Sequence, residues 1–582
     1  MAGISSRIAK LNPFGEQKPL ADSDDVGETV DIGSMAGGGH AGRETEVTRQ
    51  LRVSSALRAY LVSKNVLSEP EAGVDSPDAF TDQLRAVLDK PHTKVPIELT
   101  DRSHSLPSYF ISSSHNTYLM AHQLYGSSSA DAYKATLRAG ARCVEIDAWN
   151  GDNEQEPKVT HGWTLASNIP FRVVCETIRD IMDEEAQLEG SASGWQAAPI
   201  LLSLENHCDA HGQKRLVEIM RDVFGDRLLS KAIRDKGSEE QQGTGEHVTL
   251  AELGSKVAVI VEYHFPGEVQ SDDDIASNDD DQESKRARQE YEERKQQTAP
   301  AAVIIPELAG LGVYAQSVKP PNNAWFEAGV LQNSPHHPLI NVSETGLAAH
   351  MPDHNAQITD HNAEHLMRVY PKGTRINSDN LKPVKYWGIG AQVCALNWQT
   401  FGASLQLNEA LFSGTDGYVL KPKALRQGGT LAVNYRKRKL RLYVAGASDV
   451  PLSAGHKNED DLKPYLTCSL VHPTDPDKKK KTSPYKQHKL GFMHKGENSP
   501  PRDPIWDEVL EWEYPDNELA FLRLLIKSDD AFAKNPILCV SAVRLLYVQP
   551  GWIFIRMLDL KGHETKCCLL VKFEILDVHE HV

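Results

Sequence analysis

The chain has 582 residues, 63 Lys and Arg against 80 Asp and Glu, and a formal net charge of −17. That length accommodates two or three domains with sizeable cores, and the acidic balance argues against nucleic acid as the main partner. Eight cysteines without a CxxC pair read as free thiols of a reducing compartment, and no apolar run reaches transmembrane length. The expectation is a soluble, cytoplasmic protein whose membrane contact, if it has one, is peripheral.

Residues 1–45 are rich in Gly, Ser and Asp without periodicity, which predicts disorder. Residues 46–104 form a short helical region, with Leu51, Val53, Leu57, Leu61 and Leu67 near helical spacing. Asp75–Asp82 lacks the alternating ligands and central glycine of a calcium-binding EF-hand loop. From 105 onward a short apolar run ending in polar residues recurs, followed by a helical stretch such as 170–187 or 212–223. Strand candidates fall at 109–114, 143–149, 158–161, 199–205, 256–263, 312–317, 366–370 and 392–397. Eight such strands predict an α/β fold, a (β/α)8 TIM-like barrel split by an acidic insert after the fifth strand.

Polar residues end these strands: His115 with Asn116, Glu145 with Asp147, His161, Glu205 with Asn206, and Arg368 with Tyr370. In such a barrel they share the catalytic face. Within Cys143–Trp149 (CVEIDAW) the period of two puts Glu145 and Asp147 on one face and Val144 and Ile146 on the other. Carboxylates buried there need a metal or another positive partner. His207, His211 and the pair His336 and His337 lack a comparable setting and are not expected to be ligands.

The insert, residues 264–305, is low-complexity, first acidic and then mixed in charge. It leaves from the catalytic face, where it would either obstruct an anionic surface or act as a passive linker. After about 430 the texture is all-β: 439–445, 465–471, 521–526, 552–557 and 569–575 predict a β-sandwich. Two basic stretches in it, Arg436–Lys439 and Lys478–Lys481, favour an anionic membrane surface, each basic residue contributing about 1 kcal/mol there.

The segments SSSHNTYL, CVEIDAW, THGWTL, ILLSLENHC, YAQSVK, RVYPKGTRINSDN, ALNWQT and GYVLKP resemble, in order, the X and Y halves of a eukaryotic phosphoinositide-specific phospholipase C. The trailing β-domain is similar to that family's C2 domain, and the resemblance spans roughly residues 105–580. It implies an X half over 105–263, a linker over 264–305, a Y half over 306–430 and a C2-type sandwich over 431–582. A pleckstrin-homology domain is not evident, and 46–104 resembles a reduced EF-hand region.

The resemblance implies roles. His115 corresponds to the histidine that stabilises the pentavalent phosphorus, and His161 to the general acid for the diacylglycerol oxygen. Asn116, Glu145, Asp147 and Glu205 correspond to the ligands of Ca2+, with Glu145 or Glu205 as general base. Arg368 and Tyr370 match residues that hold a ring phosphate and stack on inositol, and Asn341 takes the place of a serine in that pocket. The implied function is hydrolysis of phosphatidylinositol phosphates to diacylglycerol and inositol phosphates, through 2-hydroxyl attack and a cyclic phosphate. Oxygen ligands of this kind suit calcium, which would lower the pKa of the attacking hydroxyl.

Departures concern specificity. Two family lysines that bind ring phosphates correspond to Ile260 and Glu262, which predicts reduced discrimination for the 4,5-bisphosphate. Asp460, Asp461, Asp529 and Asp530 remain in the C2 loops, but Lys463 and Pro536 replace aspartates, so calcium binding there is not expected. Trp163 would either insert at the barrel rim or pack inside. One rival is a catalytically weak lipid-binding scaffold, disfavoured because all six active-site positions are intact. Another is a glycerophosphodiester phosphodiesterase, which leaves the Y-half motifs and the sandwich unexplained.

Overall fold

The structure is a computed structural model. It describes residues 24–25, 27–30, 50–75, 80–120, 128–152, 156–161, 167–188, 197–234, 247–263, 303–319, 324–327, 331, 335–372, 375, 379–429, 436–452, 459–487, 498–529 and 536–578. The short β-branched runs of the first half become eight parallel strands: β1 (Tyr109–Ile111), β2 (Cys143–Trp149), β3 (Ile200–Asn206), β4 (Val257–Tyr263), β5 (Gln316–Val318), β6 (Pro338–Ser343), β7 (Leu366–Tyr370) and β8 (Val393–Cys394). Adjacent strands pair in parallel from β2 through β8 and back to β1. A bridge between Ser113 and Cys143 closes the ring. The (β/α)8 barrel is therefore present.

Two assignments within it are corrected. The run at 158–161 is not a barrel strand; Lys158–Val159 folds back antiparallel on the end of β2. The missing strand is β6, whose six residues carry too short a pattern to register alone but find a ladder on both sides, from β5 and β7. The insert consequently follows the fourth strand, not the fifth; its residues 264–302 lie outside the described residues.

Alternation sorts the barrel side chains. Val144, Ile146, Leu202, Leu204, Val257 and Val259 pack outward against Val174, Ile178, Leu216 and Val217 of the helices Phe171–Leu188 and Ala210–Phe224. Cys143, Leu201, Ala258, Ile260, Leu339 and Leu366 fill the interior. Further along the same inward face come Glu145, Asp147, Glu205, Glu262, Asn341 and Arg368, since successive inward residues lie two apart.

The C-terminal part is an eight-stranded antiparallel sandwich of the C2 type, β9 (Lys437–Ser448) to β16 (Glu564–Val578), in the order β11-β10-β13-β14-β15-β16-β9-β12. Here β10 is Pro464–Val471, β11 Lys478–Lys481, β12 Ile505–Pro515, β13 Phe521–Ser528, β14 Ile537–Arg544 and β15 Trp552–Leu558. The lysine run thus forms an edge strand with Lys479–Lys481 exposed, a device that discourages edge pairing. Most of the other basic stretch is ion-paired: Arg436 and Arg438 with Asp577, and Lys439 with Glu511.

Helices Ser55–Ser63 and Asp82–Asp89 bury Leu57, Leu61, Leu84 and Leu88 against Phe554 and Leu570 of the sandwich. Residues 24–25 and 27–30, within the stretch expected to be disordered, are packed instead. Thr29 bridges Thr400, Val30 joins the barrel–sandwich core, and Asp24 pairs with Lys527 at 2.5 Å. The partners that order this segment lie hundreds of residues away, so no local pattern reveals them.

Candidate active site

Strand β1 continues into the short strand Ser114–His115, which pairs with Leu396–Asn397 and sets His115 beside Asn397. Asn116 then takes φ 45°, a left-handed conformation that asparagine tolerates better than most residues. That turn points its backbone N–H at Glu145 Oε2, 2.7 Å away. The β2–β3 register sets Asp147 opposite Glu205, and the β6–β7 register sets Asn341 opposite Arg368.

The two buried carboxylates of β2 are compensated unequally. Glu145 Oε1 accepts from Arg368 Nη2 at 2.6 Å, and the guanidinium is only 3% exposed. Asp147 Oδ2 accepts from the Tyr118 hydroxyl, which lies 3.0 Å from Asn116 Oδ1, while Asp147 Oδ1 is buried with no hydrogen-bond partner. Burial, with Glu205 and Glu145 adding to it, pushes the Asp147 carboxyl well above the usual range. Glu205 is different: its side chain is 48% exposed and its Oε1 lies 3.1 Å from His207 Nε2. Desolvation acts upward there, but His207, Arg368 and His161 outweigh it and hold the carboxyl at about 2.

Oxygen atoms of Glu145, Asp147 and Glu205 converge within 4.8 Å of one another, the one such acidic group among the described residues. An orphaned buried carboxylate oxygen, two further carboxylates and the nearby Asn116 amide fit a hard divalent cation. Thr160 donates its N–H to Asp147 O at 3.3 Å, which brings His161 to this cluster, near enough to lower Glu205. Burial pushes His115 below the ordinary imidazole value, Glu145 opposing and Arg368 reinforcing. Its Nε2 lies 4.0 Å from Glu145 Oε2.

Arg368 also donates to Asn341 Oδ1 at 3.1 Å and lies 5.7 Å from the centre of the Tyr370 ring. Ile260 is packed into the interior, one layer below Glu262. Burial and the charge of Glu205 raise the Glu262 carboxyl to about 7. Trp163, Asp530 and the side chain of Asp460 lie outside the described residues. Asp461 is exposed.

Three contributors escaped the sequence reading. Tyr118 and Asn397 are hidden because their roles depend on strands far apart in sequence. His207 stacks on Trp149 at 4.1 Å besides touching Glu205; its offset of two from Glu205, placing it on the same face, was the available signal.

Comparison with known proteins gives the following. Residues 102–263 match the X domain of phosphatidylinositol-specific phospholipase C, and residues 308–424 match its Y domain. A human protein named 1-phosphatidylinositol 4,5-bisphosphate phosphodiesterase delta-3 is 33% identical over 489 residues, covering 82% of this chain and 57% of its own. A Dictyostelium discoideum 1-phosphatidylinositol 4,5-bisphosphate phosphodiesterase is 29% identical over 524 residues, covering 84% of this chain and 61% of its own. The chain thus spans about three-fifths of the length of these relatives. The crystal structure of L. pealei PLC21 has the same fold, with a TM-score of 0.67 at 21% identity over 93% of this chain and 69% of that one.

Proposed function

Because the chain belongs to the phosphatidylinositol-specific phospholipase C family, we propose that it is a calcium-dependent phosphodiesterase that cleaves membrane phosphoinositides to diacylglycerol and soluble inositol phosphates. The observation that carries this reading is the convergence of Glu145, Asp147 and Glu205, with an unpartnered Asp147 oxygen, between two histidines at the barrel's catalytic end.

Asn116, Glu145, Asp147 and Glu205 would hold a calcium ion, which when bound would lower the pKa of the inositol 2-hydroxyl and offset phosphoryl charge. Glu145 or Glu205 takes the proton of the attacking hydroxyl. His161 donates the proton to the departing diacylglycerol oxygen. His115 faces the phosphoryl group. Water then opens the cyclic phosphate, with His161 now taking the proton of the water and the protonated carboxyl of the first step returning its proton to the 2-oxygen.

Head-group preference follows from the interior charges. Where ring phosphates would meet two lysines, this chain offers the apolar Ile260 and the acid Glu262, and Arg368 is engaged by Glu145 and Asn341. Each missing charge-assisted hydrogen bond removes about 1.5–3 kcal/mol of phosphate recognition. Phosphatidylinositol and its monophosphate are therefore used at rates comparable to the 4,5-bisphosphate. Among the described residues no helix is long and apolar enough to cross a membrane. Access from the cytoplasm is peripheral, aided by the exposed lysines of β11.

The test is release of water-soluble inositol phosphates from vesicles of each lipid, with calcium or chelator, for the protein and His115→Ala. Calcium-dependent release lost in the variant is expected. No release from any lipid, with vesicle binding retained, would make the chain a lipid-binding protein. A strong preference for the bisphosphate would sink the specificity argument alone.

A further inference from the structure

An imidazole on a strand end can rotate about its side-chain bonds and can carry its proton on either nitrogen; catalysis needs one of each choice. The pairing of Leu396–Asn397 with Ser114–His115 brings Asn397 Oδ1 within 2.9 Å of His115 Nδ1. Asn397 is itself immobilised and 1% exposed. Its Nδ2 donates to Asp379 O at 2.9 Å, its backbone N–H donates to Asn380 Oδ1 at 2.6 Å, and its carbonyl accepts from Asn380 Nδ2 at 2.8 Å.

These contacts settle which end of the amide faces the histidine. A carbonyl oxygen only accepts, so the atom of Asn397 on Asp379 O must be the nitrogen, and the atom on His115 must be the oxygen. An oxygen acceptor requires the proton on Nδ1. In the neutral ring Nε2 is then bare, on the edge directed toward the carboxylate cluster. Asn397 is neutral and can hold the ring in this way whether the imidazole is neutral or cationic.

We propose that Asn397, braced by Asn380, is the positioning residue for His115: it fixes the ring plane and keeps the proton on Nδ1, so that Nε2 is the nitrogen facing the phosphoryl group and donates to it when the ring is cationic. The inference rests on the catalytic role of His115 proposed above. It does not require Asn397 to touch substrate; the residue acts through His115 alone.

The test combines kinetics with a spectroscopic readout. Asn397→Ala keeps both Asn380 bonds, which use its backbone, and loses the contact with His115. Loss of an orienting partner of this kind typically costs about 10–100-fold, expected here in kcat with KM nearly unchanged. In a His115→Ala background the same substitution should cost less than about 2-fold, because its effect passes through the missing ring. Equal losses in both backgrounds, or no loss in either, would overturn the proposal. The 15N spectrum of the unaltered protein, with the His115 signals identified by their absence in His115→Ala, should show a protonated Nδ1 and a bare Nε2 in the neutral ring. The opposite tautomer would overturn it even if Asn397→Ala fails to fold. Full activity in His115→Ala would instead refute the catalytic role of His115, a result separable from either of these.

Discussion

Glu262 offers the sharpest energetic test of the barrel interior. Its carboxyl titrates near 7 in the folded protein against 4.5 ordinarily, because the site is desolvated and Glu205 lies close by. A raised acid stabilises the fold fully below the unfolded value and loses that contribution as pH rises through the folded one. At about 1.4 kcal/mol per unit, ionising Glu262 costs about 1 kcal/mol of stability at pH 5 and about 3 kcal/mol at pH 8. Glu262→Gln removes the titration and nearly preserves shape, so its stability relative to the parent should improve by about 2.5 kcal/mol between pH 5 and pH 8. The assay is urea unfolding of both proteins at the two pH values with chelator present, since a cation bound at Glu205 would reduce the repulsion. Comparing the two proteins at each pH cancels every other titrating group they share. A difference independent of pH would refute the account of Glu262 as a desolvated acid.

Other consequences are open to equally direct measurement. Burial holds His361 at about 3 and His337 at about 4, so the unfolded chain takes up their protons first; stability is full above pH 6.5 and falls below it. His361→Gln should remove about 2 kcal/mol of the acid-induced loss at pH 5, and thermal unfolding at pH 7.5 and 5 with an unchanged slope would contradict this. Tyr118→Phe removes the hydroxyl lying between Asn116 and Asp147, and calorimetry should find calcium binding weakened about 10–100-fold. Asp24→Ala strips Lys527 of its carboxylate partner at the barrel–sandwich junction, and should cost about 3 kcal/mol in urea unfolding if the N-terminal segment is a true part of the fold.

The barrel was legible because strand periodicity is local. Glu145 and Asp147 share a face whatever surrounds them, and the apolar residues between them had to face the helices. The insert's composition marked it as a break, yet its place in the strand order was miscounted, since a two-residue hairpin extension and a full barrel strand look alike over four to six residues. In the sandwich, β11, β12 and β14 went unread for a related reason. A run of four lysines has no apolar face, and it becomes a strand only because β10 supplies hydrogen-bond partners along its edge.

The sequence by itself determined the barrel's alternation of faces, the nature of the carboxylate and histidine groups at its strand ends, and the placing of an apolar and an acidic residue, Ile260 and Glu262, on one inward face. These follow from residue identity and a period of two. The tertiary structure alone decided which carboxylate is neutralised by Arg368, which oxygen of Asp147 is left unpartnered, how far Glu205 and Glu262 are driven apart in acidity, and that Asn397 grips His115. Those properties depend on distance and desolvation between segments up to 282 residues apart, and no local pattern encodes them.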